Sequence, residues 1–419
     1  MTIIEQYESE VRSYCRRFPA VFTKAKGAVM TDENGHRYID FFDGAGALNY
    51  GHNHPKINRA LIDYIESDGI MHGLDLTTEA KKDFIDAFEN KILKPRGLDY
   101  KLMFCGATGT NSVEAALKLA RKVKKRQNIL AFSGAFHGMS LGSLAATTEA
   151  KARHGAGVPL GNVSFMPFPF GFNESFDTIA YIENVLNDDH SGVDYPAAVI
   201  VETVQAEGGI CVADIEWLKR LRDLCDRHDM LLICDDIQVG CGRTGNFFSF
   251  ERAGIVPDMV TLSKSISGSG LPMAMLLLKP EIDVFLPAEH NGTFRGNQLG
   301  FVGAKAAVDL VSDTDLLNEV RRKEAMVNDY IDNKILPMDE RVSHRGIGLI
   351  HGIDLSAFGI DGLADSVAKR CFEKGLIIEL AGRKDSVIKL LPPLIIPDDE
   401  LLQGLDIIAA SLAEKLAEI

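Results

Sequence analysis

Met230-Leu-Leu-Ile-Cys-Asp-Asp-Ile-Gln-Val-Gly-Cys-Gly-Arg-Thr-Gly245 is the stretch that decides the fold. It opens on a short continuous apolar run and then stops on the acids Asp235 and Asp236. A run of this length and character is a strand buried on both faces rather than a helix. Just before it, Ile215–His228 places Trp217, Leu218, Leu221 and Leu224 on one stripe, which is helical periodicity. The alternation continues in both directions. Further strands are predicted at Lys101–Cys105, Asn128–Phe132, Ala197–Glu202, Met259–Ser263 and Pro272–Leu278. Asn111–Lys124 is predicted as a helix, with Val113, Ala116, Leu117 and Ala120 aligned. Short apolar strands separated by amphipathic helices predict an α/β fold with a mainly parallel sheet covered on both faces. In such sheets ligands bind beyond the carboxyl ends of the strands. Polar residues follow those ends here: Gly109-Thr110, Phe136-His137, Glu202, Asp235 and Lys264.

Outside this region the pattern changes. Residues 1–18 read as an amphipathic lead-in. Phe22–Phe42 reads as short strands around the turn Asp32-Glu33-Asn34-Gly35. A Gly-rich loop, Asp43 to Gly51, leads to a helix after Pro55. Beyond about residue 305 a helical segment runs to Asp332, followed by strands around Gly346–Leu355, Leu376–Leu380 and Val387–Leu391 and a C-terminal helix. These are the elements of a smaller α+β domain. The predicted division is 1–45 as the N-terminal segment of the small domain, 46–305 as the large domain and 306–419 as the rest of the small one.

Composition narrows the function. Of 419 residues, 46% are apolar and 25% charged, with a net charge of −14, which suits a folded, soluble chain and argues against a nucleic-acid binder. The one basic run, Arg121 to Arg126, reads as the solvated end of a helix, where positive charge suits the dipole. The seven cysteines form no C-x-x-C pair and suit a reducing cytoplasm. The acidic N-terminus lacks the apolar core of a signal peptide. Leu271–Leu278, which contains Pro272, is too short to span a bilayer.

Three constellations carry chemistry. Phe104 to Ser112 is strand–loop–helix, with Gly109 and Thr110 at a helix N-terminus capped by Thr110 or Asn111. Backbone N–H groups and the helix dipole there favour an anion such as a phosphate. No Gly-Lys-Ser/Thr follows, so it is not a nucleotide-binding P-loop. Asp235 ends a buried strand and requires a cationic partner; with Asp236 it could alternatively hold magnesium. Lys264 ends another strand, where desolvation lowers an amine's pKa and suits it to attack a carbonyl. A phosphate cradle, a strand-end carboxylate and a strand-end amine together describe a site for pyridoxal 5'-phosphate, with no metal.

With these residues in place, the sequence resembles the class III aminotransferases, which are fold-type I pyridoxal phosphate enzymes. Asp235 to Gly245 is similar to the family's D-E-x-Q-x-G-x-G-R-T-G, and Lys264 follows Asp235 by 264 − 235 = 29 residues, the family spacing. Val201 to Gly209, Phe136-His137-Gly138 and Gly51 to Pro55 match further family patterns. The resemblance implies a seven-stranded sheet and amino and keto acid substrates. It implies that Lys264 bonds the cofactor and moves protons, that Asp235 holds the pyridinium proton and that Gln238 bonds the phenolic oxygen. Phe136 stacks on the ring beside His137, and Gly109 and Thr110 hold the phosphate. Thr293 of a partner subunit assists, so the active unit is a homodimer or a dimer of dimers. Glu202 supports the ring side. Glu207 matches a glutamate that pairs with an arginine in ω-amino enzymes. That arginine is replaced here by Lys389, which keeps the charge but loses the bidentate fork. Lys389 or Arg295 is then expected to bind the substrate carboxylate. Transaminases for ornithine, 4-aminobutyrate or another ω-amine fit these residues, and so does an aminomutase.

Overall fold

The computed structural model describes residues 3–170 and 176–419. Its centre is a seven-stranded sheet. In chain order the strands are β1 (Lys101–Phe104), β2 (Ile129–Phe132), β3 (Val163–Met166), β4 (Ala198–Val201), β5 (Leu231–Asp235), β6 (Met259–Leu262) and β7 (Met275–Leu278). Their spatial order is β1-β7-β6-β5-β4-β2-β3. Only β7 runs antiparallel to its neighbours, β6 and β1; the other pairs are parallel.

The period-two geometry of a strand sorts alternate residues to opposite faces. Ile129, Ala131, Ile200 and Ile233 pack on one side with Val113, Ala116, Leu117 and Ala120 of the helix Gly109–Lys124. Leu130, Phe132, Val201 and Cys234 pack on the other with Trp217, Leu218 and Leu221 of the helix Ile215–Arg227. Each fully buried side chain of this kind stabilises the fold by about 1.5–3 kcal/mol. Leu221→Ala is therefore a change that would loosen the second layer.

Several elements differ from their sequence prediction. β3 escaped the reading of the apolar runs: it is an edge strand, and its residues Val163 to Phe165 are only half-buried or exposed. The helix expected from Asn111 starts at Gly109, and its N-cap is Thr108 rather than Thr110 or Asn111. Thr108 is extended, and Asn111 Oδ1 turns back to accept from both its N–H and its hydroxyl at 3.1 Å. The basic end of that helix closes at Lys125, in a left-handed conformation, and Lys124 and Arg126 both pair with Asp229. The helical segment expected up to Asp332 consists of two helices, Gln298–Asp313 and Leu316–Tyr330. The chain is extended at Thr314 between them. The expected boundary at 305 lies inside the first of these.

The two ends of the chain meet. Strands Phe22–Lys26, Val29–Asp32 and Arg37–Asp40 form a sheet whose fourth member is Leu376–Ile377, parallel to Arg37–Asp40. A second sheet joins Ser343–Ile347, Ile350–Asp354, Val387–Leu390 and Glu379–Ala381 in that order. Among the described residues no helix is long and apolar enough to cross a membrane. All seven cysteines are free thiols, and only Cys15 is exposed.

Candidate active site

The loops that leave the carboxyl ends of β1, β2, β4, β5 and β6 converge on one cavity of about 160 Å3. It is lined by Gly109, Thr110, Phe136, His137, Glu202, Glu207, Asp235, Gln238 and Lys264. Residues from separate stretches of the sequence thus meet because parallel strands deliver their carboxyl ends to one edge.

Asp235 is buried at the end of β5. Its Oδ2 meets His137 Nδ1 at 2.7 Å, and its Oδ1 accepts from the Thr261 hydroxyl at 3.0 Å and from the Ile237 N–H at 3.2 Å. Burial pulls the His137 pKa down, but its bond to Asp235 and the nearby charges of Asp235 and Glu202 outweigh this and raise it. Glu202 Oε1 accepts the Phe136 N–H at 2.9 Å, and burial lifts its pKa to about 7. Asp236 points elsewhere: it is buried and accepts the Ser249 N–H at 2.9 Å. The two adjacent acids therefore diverge and do not form a magnesium pair. Among the described residues the one grouping with metal-ligand spacing is the exposed cluster Asp188, Asp189 and His190.

Lys264 opens a short turn directly after β6 with φ of 53°, in the left-handed region that non-glycine residues seldom occupy. Its Nζ donates to the Ala45 carbonyl at 2.7 Å. Burial lowers its pKa, with Glu207 opposing. Gln238 Nε2 donates to the same carbonyl at 2.8 Å. Ala45 lies in a run of left-handed residues, Asp43, Gly44, Ala45 and Gly46, with φ of 55°, 58°, 59° and 82°. Arg243, fully buried, holds this run in place: it donates to Asp43 at 2.5 Å, to Asn49 at 2.7 Å and to the carbonyls of Leu349 and Pro392. The glycine-rich loop was visible in the sequence; its role in supplying an acceptor carbonyl to the site was not.

The residues fit pyridoxal 5'-phosphate. Thr110 Oγ1 lies 2.6 Å from Ser140 Oγ and also contacts Ser143 Oγ, a cluster of hydroxyls at a helix N-terminus. A Cβ at Gly138 would stand 2.6 Å from Thr110 Oγ1, and one at Gly109 would stand 2.9 Å from Ile237, so both glycines keep the cradle open. Two buried polar atoms that face this region, His137 Nε2 and Gln238 Oε1, have no protein partner. Ser140 and Ser143 were not singled out from the sequence; two small hydroxyls just after Phe136-His137-Gly138 were the available signal.

Glu207 and Lys389 also meet. Lys389 is fully buried on the strand Val387–Leu390, and its Nζ donates to Glu207 Oε1 at 2.6 Å. It donates as well to Glu379 Oε2 at 3.0 Å. Glu379 stands directly across the antiparallel strand pair from Lys389, and its Oε1 accepts from the Tyr14 hydroxyl at 2.8 Å. Burial opposes charge on Lys389, but the two carboxylates raise its pKa. Burial raises and Lys389 lowers the pKa of Glu207, with a net fall. Glu379 and Tyr14 gave no sequence signal, because cross-strand register is not written in local spacing. Arg295 and Thr293 stand apart from this cluster. Thr293 is exposed, and Arg295 contacts Asn291 at 3.4 Å, with its charge felt at Lys81 and Cys105.

This arrangement has known counterparts. The family model described as aminotransferase class-III matches residues 12–412, and the chain belongs to that family. The chain is 55% identical over its full length to the diaminobutyrate–2-oxoglutarate transaminase of Bordetella parapertussis, covering 96% of that protein. It is 53% identical to the proteins of that name from Wolinella succinogenes, over 100% of this chain and 97% of that one, and Halomonas elongata, over 98% of each. Among solved structures, the ornithine aminotransferase of Toxoplasma gondii superposes with a TM-score of 0.86 at 26% identity, covering 99% of this chain and 94% of that one.

Proposed function

We propose that the chain is a pyridoxal 5'-phosphate-dependent diaminobutyrate–2-oxoglutarate transaminase. It interconverts L-2,4-diaminobutyrate plus 2-oxoglutarate and L-aspartate 4-semialdehyde plus L-glutamate. The observation that carries this reading is the full-length similarity at 53–55% identity to transaminases of that name, on a chain whose candidate cofactor residues, Thr293 excepted, line one cavity. Gly44 to His52, Leu93 to Tyr100, Thr108 to Asn111 and Asn291 to Gly296 depart from the general family pattern in the direction of that enzyme.

In this reading the hydroxyls around Thr110 and the N–H groups after Gly109 hold the phosphate. Phe136 covers one ring face. Asp235, oriented by His137 and Thr261, would keep a proton on the ring nitrogen, and Gln238 would donate to the phenolic oxygen. Glu202 fixes the loop that carries Phe136. When bound, the cofactor supplies an electron sink for the pair left as a proton departs the nitrogen-bearing carbon. Lys264 would hold the cofactor, and its Nζ, facing the same cavity, would be the base that accepts that proton and the acid that returns it. Burial, which lowers its pKa, favours the neutral amine that can accept a proton.

The remaining expectations belong to the same proposal. The active unit is a homodimer, alone or paired, with Thr293 reaching the partner's phosphate. The chain divides into residues 46–305 and a small domain from both ends; the pairing of Arg37–Asp40 with Leu376–Ile377 supports this. The enzyme works in the cytoplasm, in an ectoine-type pathway. The test is an amino-donor screen on purified protein with diaminobutyrate, ornithine and 4-aminobutyrate, reading the product formed with 2-oxoglutarate. Preference for diaminobutyrate is expected. Preference for ornithine or 4-aminobutyrate, or no cofactor absorbance in the near-ultraviolet and visible, would overturn the reading.

A further inference from the structure

The cluster behind Glu207 contains one cation and two carboxylates: Lys389 donates to Glu207 at 2.6 Å and to Glu379 at 3.0 Å. Lys264 across the cavity also acts on Glu207, but in the proposed holoenzyme it is committed to the cofactor, so within the cluster itself one negative charge is in excess. Lys389 is fully buried, and the Glu379 side chain is only 4% accessible, whereas that of Glu207 is 32% accessible and lines the cofactor cavity. Glu379 cannot drift from the lysine, because strand register places it opposite Lys389 and the Tyr14 hydroxyl holds its second oxygen. Glu379 therefore neutralises Lys389 from behind, and the surplus charge falls on the carboxylate that faces the cavity. A lone Glu–Lys pair would present a neutral wall there.

We propose that Glu379 is a positioning residue that leaves Glu207 negatively charged toward the cavity, and that Glu207 thereby selects amino donors carrying a second ammonium group. This rests on the transaminase reading above. Diaminobutyrate has such a group on its α-carbon; 4-aminobutyrate has the same chain and carboxylate without it. A hydrogen bond between charged partners is strong enough that the second ammonium should be worth about a tenfold or greater preference. Lys389 then serves as a fixed anchor, rather than as the group that receives the substrate carboxylate.

The experiment compares kcat/KM for diaminobutyrate and for 4-aminobutyrate in the holoenzyme and in Glu379→Gln, Glu379→Asp and Glu207→Gln. The melting-temperature rise given by each donor is measured alongside. Glu379→Gln should lower the diaminobutyrate preference about tenfold, through KM rather than kcat, and shrink the diaminobutyrate-induced melting shift. Glu379→Asp, which keeps the charge, should retain the preference, and Glu207→Gln should lose it. Equal loss for both donors, or an unchanged preference in Glu207→Gln, overturns the inference. Glu207→Gln decides the matter if Glu379→Gln does not fold. If the wild-type protein transaminates neither donor, it is the reading of the site that fails.

Discussion

The floor of the cavity and its far wall are built by different means. On the floor, Gly109, His137, Glu202, Asp235 and Lys264 all end or closely follow a strand of the large sheet. On the wall, Glu207, Glu379, Lys389 and Tyr14 come from four separate segments and meet only through the folding of both chain ends. The floor holds its groups by local chain direction, and the wall holds its groups by charge. Damage to the floor should therefore cost chemistry first, whereas damage to the wall should cost stability first.

The largest expected effect tests the floor. On the proposed roles of Lys264, Lys264→Ala removes both the anchor and the mobile proton carrier, and should lower kcat at least about 10⁴-fold with little change in melting temperature. Steady-state kinetics and thermal denaturation on one sample check both parts. Next comes the wall: Lys389→Ala leaves two carboxylates facing one another without their cation and should destabilise the fold by about 3–5 kcal/mol, read by denaturant titration. If it unfolds no more readily than Lys264→Ala, the contrast between the two regions is wrong.

A third prediction concerns pH. Burial raises Glu202 to about 7 from an ordinary 4.5, so the native state favours its protonated form. That contribution is complete below about pH 4.5 and is lost as pH rises through 7, a change of up to about 3 kcal/mol. Glu202→Gln should remove much of this slope and gain in melting temperature at pH 8 over pH 5. Asp236, also raised to about 7, leaves part of the slope in place. The smallest effect is expected for Thr293→Ala: if this residue gives the cofactor phosphate the one hydrogen bond proposed for it, worth about 1 kcal/mol, its loss should weaken cofactor retention severalfold. On the proposed homodimer, in which Thr293 reaches the partner's site, the loss should appear only at protein concentrations that favour association.

The same contrast explains what the sequence disclosed. β5 and β6 are written as apolar runs, and Asp235 and Lys264 announce themselves by ending those runs. β3 was missed because an edge strand with half its surface in water needs no continuous apolar run. The helix at Gly109 was placed late because its cap, Thr108, is recognised only through the return of Asn111. Glu207 and Lys389 were visible as positions in family patterns, but the second carboxylate was not. Nothing between residues 379 and 389 reveals that two strands will turn and bring them face to face.

The left-handed run Asp43–Gly46 bears on which mutations this protein can survive. Two of its four positions are glycine, but position 45 carries an alanine that pays about 1 kcal/mol or more for its conformation. Its carbonyl, which receives Lys264 and Gln238, belongs to the backbone, so side-chain identity matters only through the shape it permits. In a saturation library, glycine and asparagine should be enriched at position 45 and β-branched residues purged. Ala45→Gly should even raise the melting temperature, the reverse of that exchange within a helix.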